Sequence, residues 1–370
     1  ALKDTLIFAI ALAVGAIPEG LPAVVTIALA IGVQRMAKRK AIIRKLPAVE
    51  TLGSTTVICS DKTGTLTRNE MMVTELYTPQ HEVRVSGSGY EPVGEFTTAE
   101  GKLEELPEDI RLLLESAALC NDASLMEEEG RWVINGDPTE AALIVAAIKA
   151  GFSMEQLQQE QPRTDESPFT SENKYMATQN GGEAARIVVK GAPEVILQRC
   201  GLEGQDVLEE IKAAVRRMGE QGIRVLALAN KPVTATDQEL SEETVQDGLS
   251  FIGLIGMIDP PRTESIEAIE RCHQAGIQVK MITGDHRTTA FSIGKELGLA
   301  TDGDIAYTGA ELAAMSDAEL WENAEKSNIF ARVAPEHKLR LVTTLQQRGH
   351  IVAMTGDGVN DAPALKQANI

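Results

Sequence analysis

The chain has 370 residues, 43% hydrophobic and 24% charged, which is ordinary globular usage and excludes a wholly disordered, collagen-like or polytopic membrane protein. Its net charge of −19 argues against a nucleic-acid binder that works through a basic face. Cys59, Cys120, Cys200 and Cys272 are scattered, with no C-x-x-C pair, the pattern of a reduced intracellular protein rather than a disulfide-stapled secreted one.

Residues 5–33 read TLIFAIALAVGAIPEGLPAVVTIALAIGV and hold one ionisable group, Glu19. The run exceeds the about 20 apolar residues that cross a bilayer and lacks the basic n-region of a signal peptide. Residues 1–34 are therefore expected to form a transmembrane helix. Pro18 and Pro22 flank Glu19, and each removes a backbone donor and disturbs the helix locally. Irregular backbone at membrane depth is tolerated where it lines a protein cavity, and a carboxylate there is costly and normally functional. Freed carbonyls around Ala16 and Ile17, with the Glu19 carboxylate, make a hard-oxygen site suited to a cation. Arg35, Lys38, Arg39, Lys40, Arg44 and Lys45 lie just after the span, so the positive-inside rule puts the rest of the chain on the cytoplasmic side.

Residues 55–59 (TTVIC) have the β-branched, apolar character of a buried strand and run into SDKTGTLT at 60–67. Residues 68–250 are too long for a loop and are expected to form a second domain. Within it, NGDPTE at 135–140 opens a helix through Lys149, RIVVK at 186–190 reads as a strand, GAPE at 191–194 starts a helix, and GIRVLALA at 222–229 is a further strand. Residues 80–100, rich in Gly, Ser and Thr, read as a hairpin or mobile loop. The acidic clusters at 104–109 and 127–129 read as solvated surface. Lys190, at a strand end before Gly191, has the setting of a phosphate-facing turn.

Two more strands come later, 278–282 (QVKMI) running into Thr283-Gly284-Asp285 and 351–354 (IVAM) running into TGDGVND at 355–361, with helical stretches at 292–297 and 338–346 between them. Strands alternating with helices imply a parallel, doubly wound sheet, whose site lies at the carboxyl ends of the strands. Asp61, Asp357 and Asp361 would meet there, an arrangement that needs a neutralising ion. Oxygen-only ligands suit Mg²⁺, which keeps waters and bridges to phosphate. Thr283 and the Gly284 backbone offer donors to phosphate oxygens, and Lys338 supplies positive charge. Together these groups describe phosphoryl transfer to Asp61.

DKTGTLT at 61–67, TGD at 283–285 and TGDGVNDAP at 355–363 resemble the signature of P-type ATPases, whose phosphorylation domain has the haloacid-dehalogenase fold. PEGLP at 18–22 and RMAKRKAIIRKLPAVETLG at 35–53 resemble the fourth transmembrane helix and linker of the calcium-pump-like type II branch. The resemblance implies an α/β chain in four parts: a transmembrane helix (1–34), a phosphorylation domain in two pieces (35–69 and 251–370) and an inserted α+β nucleotide-binding domain (70–250). It implies that Asp61 accepts the γ-phosphate of ATP and that Asp61, Thr63 and Asp357 hold Mg²⁺. It further implies that Thr283, Gly284, Asp285, Lys338 and Asn360 serve the phosphate and that Asp361 supports the site. DPPR at 259–262 resembles the family's hinge. In the inserted domain the resemblance sets Phe169 on adenine and Glu140 beside the base. Lys174, Lys190 and Arg224 would then attract the nucleotide and its phosphates.

Phosphate-ester hydrolases of the same fold carry a second Asp two residues after the nucleophile, where this chain has Thr63, so an acyl phosphate at Asp61 is expected to persist. That residue and the PEGLP span argue against the alternative of a soluble phosphatase with a cap domain; a non-enzymatic nucleotide-binding module is the other alternative. The expected whole is an integral membrane pump with cytoplasmic catalytic domains that uses ATP and Mg²⁺. Glu19 and the resemblance favour Ca²⁺ as the transported cation. No actuator T-G-E tripeptide occurs and only one span is seen, so the chain reads as a central fragment. Its expected partners are membrane lipid, the missing helices and the actuator domain. Such a fragment would bind Mg-ATP without transporting ions.

Overall fold

The computed structural model describes residues 2–16, 20–42, 47–183, 185–202, 204–233, 239–356 and 361–370. Glu19, Asp357 and Asn360, three of the expected site residues, lie outside them.

Five parallel strands form one sheet in the order Ala306–Thr308, Ile329–Ala331, Gln278–Ile282, Val57–Asp61, Val352–Thr355. The earliest strand in the chain thus lies between two that come more than 200 residues later. Alternate residues of each strand feed two cores. Val57, Cys59, Ile282, Phe330 and Val352 pack with Leu341, Val342 and Leu345 of the helix Pro335–Gln347. Val279, Met281, Ile329 and Ala331 pack on the other face with Ile269 and with Ala290 and Ile293 of the helix Arg287–Glu296. Helices on both faces of a parallel sheet make it doubly wound, and its apolar runs are buried on both sides.

A second sheet has nine antiparallel strands in the order Gly101–Lys102, Phe96–Thr98, Glu82–Val85, Met72–Tyr77, Ser250–Ile258, Arg224–Pro232, Arg186–Gly191, Tyr175–Asn180, Arg163–Ser167. The helices Glu108–Leu119 and Pro138–Lys149 cover one face, with Ile110, Leu113 and Leu143 against Leu76, Leu228 and Ile255. Pro193–Arg199 and Gln205–Glu220 cover the other, with Ile196, Ile211 and Met218 against Ile187, Val189 and Ala227. The stretch 80–100 forms a hairpin, one of its two expected readings: Glu82–Val85 pairs with Met72–Tyr77 and with Phe96–Thr98, and Val83, Val85 and Phe96 are buried in the core. The boundary expected at 250/251 falls inside the strand Ser250–Ile258, which pairs on both sides within the antiparallel sheet.

The chain leaves and re-enters the parallel sheet through two adjacent segments. Thr67 bridges Pro261, the Arg68 amide donates to the Pro260 carbonyl at 3.1 Å, and the Arg262 amide donates to the Leu66 carbonyl at 2.9 Å.

In the apolar N-terminal segment the described residues form two helices, Leu2–Gly15 and Leu21–Lys38; Pro22 stands at the start of the second, where its missing N–H costs nothing. Leu21–Lys38 is long and apolar enough to cross a membrane, and none of it is buried. Phe8, Leu12, Val24 and Ile27 are among its and its neighbour's large exposed side chains. Contiguous exposed apolar surface of this extent marks a surface that another phase or chain covers.

Candidate functional site

Val57–Asp61 ends at Asp61, which stands at the carboxyl edge of the parallel sheet beside Ile282. The backbone then closes a turn over Lys62–Leu66, where Gly64 takes φ +72; a side chain there would be strained. The Thr67 amide returns to the Lys62 carbonyl at 3.0 Å. On the next strand, the Thr355 hydroxyl donates to Ser60 Oγ at 2.8 Å, and Ser60 Oγ donates to the Asp61 carbonyl at 3.0 Å.

Lys338 enters from the first turn of the helix Pro335–Gln347. Its Nζ lies 2.7 Å from Asp61 Oδ1 and 2.6 Å from Asp361 Oδ1. The side chains of Lys338 and Asp361 are nearly enclosed and that of Asp61 is 15% exposed, so the nucleophile candidate alone faces the mouth. Burial pulls the Lys338 pKa down, but the hydrogen bonds to Asp361 and Asp61 outweigh it and raise the pKa above its ordinary value. The ammonium therefore stays charged at neutral pH. Asp361 precedes the helix Ala362–Gln367. A Cβ added to Gly356 would sit 2.4 Å from Asp361 Oδ2, so only glycine lets the strand-end backbone come this close.

Thr283 and Asp285 line the adjacent strand end. Thr283 is buried, its amide bonded to the Phe330 carbonyl at 2.9 Å and its Oγ1 accepting from the Asp285 amide at 3.1 Å. Gly284 is exposed. The structure thus brings Asp61, Thr63, Thr283, Gly284, Asp285, Lys338 and Asp361 to one edge of the sheet. Asp61 and its neighbours offer only hard oxygen donors, a set that fits Mg²⁺ rather than a soft metal. Among the described residues no group of three or more His, Cys, Asp and Glu is poised round a metal.

The sequence reading missed Lys62. It is almost fully buried and pairs with Asp285 at 2.6 Å and with Asp259 at 3.7 Å. Asp259 also accepts from Thr67 Oγ1 at 2.6 Å, while Arg262 donates to the carbonyls of Thr67 at 2.8 Å and Gly64 at 3.1 Å. Lys62 and Arg262 therefore tie the Asp61 turn to the Asp259–Arg262 segment and to the Thr283–Asp285 segment. The available signal was a lysine next to the nucleophile candidate in an otherwise uncharged turn.

In the antiparallel domain, Lys190 and Glu140 form a mostly buried pair at 2.7 Å. Glu140 lies in the first turn of Pro138–Lys149, whose N-cap Asp137 accepts from the Thr139 amide at 2.8 Å. Arg224 reaches Thr139 Oγ1 of the same turn at 3.4 Å. Lys174 adjoins this end of the sheet, since its carbonyl accepts from the Ala192 amide at 3.0 Å. Its ammonium is exposed and lies 3.6 Å from Glu194. Phe169 is 59% exposed, on the segment that leads to Lys174. Glu140, Lys190 and Arg224 are drawn together and Lys174 stands beside them.

In its sequence motifs the chain is similar to P-type ATPases, and the comparisons point the same way. Residues 109–264 match the family model for the P-type ATPase cytoplasmic domain N. Over 376 residues the chain is 54% identical to a cation-transporting ATPase of Synechocystis, covering 98% of this chain and 42% of that relative. It is 46% identical to calcium-transporting ATPases of Bacillus subtilis, over 98% of this chain and 42% of the relative, and of Lactococcus lactis, over 100% and 41%. The chain thus spans about two fifths of the length of the curated relatives it matches.

Proposed function

We propose that the chain is the catalytic segment of an ATP-driven cation pump, its parallel sheet a haloacid-dehalogenase-like phosphorylation domain. A carboxylate oxygen of Asp61 attacks the γ-phosphorus of ATP. The bond to the β,γ-bridging oxygen breaks, ADP leaves with that electron pair, and an aspartyl phosphate remains. Lys338 donates to the oxygen-rich phosphoryl group, Thr283 and the Gly284 amide orient it, and Asp361 holds Lys338 in place. Mg²⁺, when bound by Asp61, Thr63 and Asp357, neutralises the charge that builds on the transferring group. Thr63 offers no general base to a hydrolytic water, so the acyl phosphate persists long enough to drive a change of shape. Asn360 is assigned a phosphate contact. In the inserted domain, Phe169 stacks on adenine, Glu140 stands beside the base, and Lys174, Lys190 and Arg224 face the nucleotide.

The observation that carries this reading is the enclosed Lys338, held between Asp61 and Asp361 at a parallel strand end. The cation is assigned as Ca²⁺, because two relatives are calcium-transporting ATPases and Glu19 lies between prolines in an apolar segment. The pump would sit in a membrane with its catalytic domains cytoplasmic. Lipid, further transmembrane helices and an actuator domain would be its partners. The test is acid-stable label from γ-labelled ATP in the full-length protein. Label that hydroxylamine removes, and that Asp61→Asn abolishes, supports the reading; undiminished label in Asp61→Asn refutes it.

A further inference from the structure

We propose that Arg163, which no motif singles out, is a positioning residue for the nucleotide site: it fixes the backbone at Asn121 and Asp122, which in turn holds Glu140 against Lys190. The inference rests on the reading of Glu140 and Lys190 as nucleotide contacts. Its evidence is an unbroken chain of bonds. Arg163, at the start of an edge strand, donates through one guanidinium nitrogen to Asp122 Oδ1 and Glu166 Oε2, each at 2.6 Å. Its other terminal nitrogen donates to the carbonyls of Asn121 at 2.5 Å and Leu119 at 3.4 Å. A planar, always-charged fork suits this double grip on carboxylate and carbonyl, which a lysine ammonium cannot reproduce.

The gripped segment reaches Glu140 twice. The Asp122 amide donates to Glu140 Oε2 at 3.2 Å, and Asn121 Nδ2 donates to the Glu140 carbonyl at 2.9 Å. Glu140 Oε1 is left to accept from Lys190 Nζ at 2.7 Å. One carboxylate oxygen is thus set by the loop and the other by the lysine. Cys120, between the gripped residues, is fully buried with Met176 and Val188, and Met176 is the strand partner of Lys190. The loop therefore has an apolar pivot beneath it, and Arg163 supplies the polar clamp. Without the clamp Glu140 keeps its place on the helix but loses the fixed direction of its carboxylate, and Lys190 turns with it.

The test titrates ATP by calorimetry into the 370-residue chain in detergent, with the melting temperature measured on the same samples. Arg163→Ala is expected to weaken ATP about tenfold and Arg163→Lys about threefold. In a Glu140→Ala background, Arg163→Ala is expected to change affinity by less than about twofold, since the path through Glu140 is already cut, while the melting temperature falls equally in both backgrounds. Equal losses of affinity in the two backgrounds, or wild-type affinity in Arg163→Ala, overturn the inference while Lys190→Ala still loses ATP. Should Lys190→Ala bind ATP as well as the unsubstituted chain, or should that chain bind none, the nucleotide-site reading fails and the inference falls with it.

Discussion

The two candidate centres of this chain each bury a lysine against carboxylate, but they differ in what surrounds the pair. Lys338 is enclosed between two carboxylates contributed by distant segments, whereas Lys190 has one carboxylate partner in a domain whose aromatic candidate, Phe169, stands largely in solvent. The first arrangement is set before any substrate arrives, as charge-stabilising chemistry requires. The second has Phe169 and Lys174 exposed nearby, which suits the exchangeable nucleotide of the proposed function. On the proposed reading, preorganisation is concentrated at the phosphorylation site and accessibility at the nucleotide site.

The largest expected effect tests the enclosed lysine. Lys338→Met leaves Asp61 and Asp361 facing each other without their cation. It is expected to abolish phosphorylation and to lower stability by about 3–5 kcal/mol, read by phosphoenzyme assay and urea unfolding. Retention of label would erase the contrast between the centres. The Lys338 pKa is raised, so its contribution to stability is complete below the unfolded lysine pKa and is lost only as pH climbs through the folded value.

A smaller effect tests the open site. Phe169→Ala is expected to weaken ATP by about 1–3 kcal/mol, the usual worth of a base stacked on an aromatic ring, with no change in melting temperature. A fall in melting temperature without loss of ATP would make Phe169 a packing residue and weaken the comparison.

Lys280 sharpens the contrast within the parallel sheet itself. It is fully buried, donates to the Ser327 carbonyl at 3.1 Å, and has no place in the chemistry. Burial pushes its pKa down to about 8. Between that value and the ordinary lysine value the unfolded chain binds the extra proton, so stability rises with pH over this window. Lys280→Met is expected to stabilise the chain at pH 7 by about 1–3 kcal/mol, a gain that fades toward pH 10; unfolding at the two pH values checks both sign and size. The smallest effect is at the cap of the Glu140 helix, where Asp137→Ala is expected to cost about 1 kcal/mol, seen as a modest drop in melting temperature.

Legibility in the sequence divides along the same line. The strands leading to Asp61, Thr283 and Thr355 were legible because β-branched apolar runs end abruptly in Gly- and Asp-rich turns, and Gln278–Ile282 lies where its sequence puts it. The strand order was not legible, since nothing local tells Val57 that it will pair with Val352 and Gln278. The hairpin within 80–100 was legible as only one of two readings, because its strands are short and carry few apolar residues, Val83, Val85 and Phe96. Lys62 and Arg163 escaped for a related reason: their partners are remote in sequence, Asp285 and Asp259 for one, Asn121 and Asp122 for the other. A charged residue's role depends on which distant group arrives beside it.

The paired crossing at Thr67 and Pro261 has a mechanical consequence. A body hung from one strand can swivel in any direction, but a body hung from two strands laced side by side behaves like a door on paired pins. Twisting is resisted at the crossing, and Ser292 Oγ, donating to the Gln221 carbonyl at 2.6 Å, latches the two bodies at a second point.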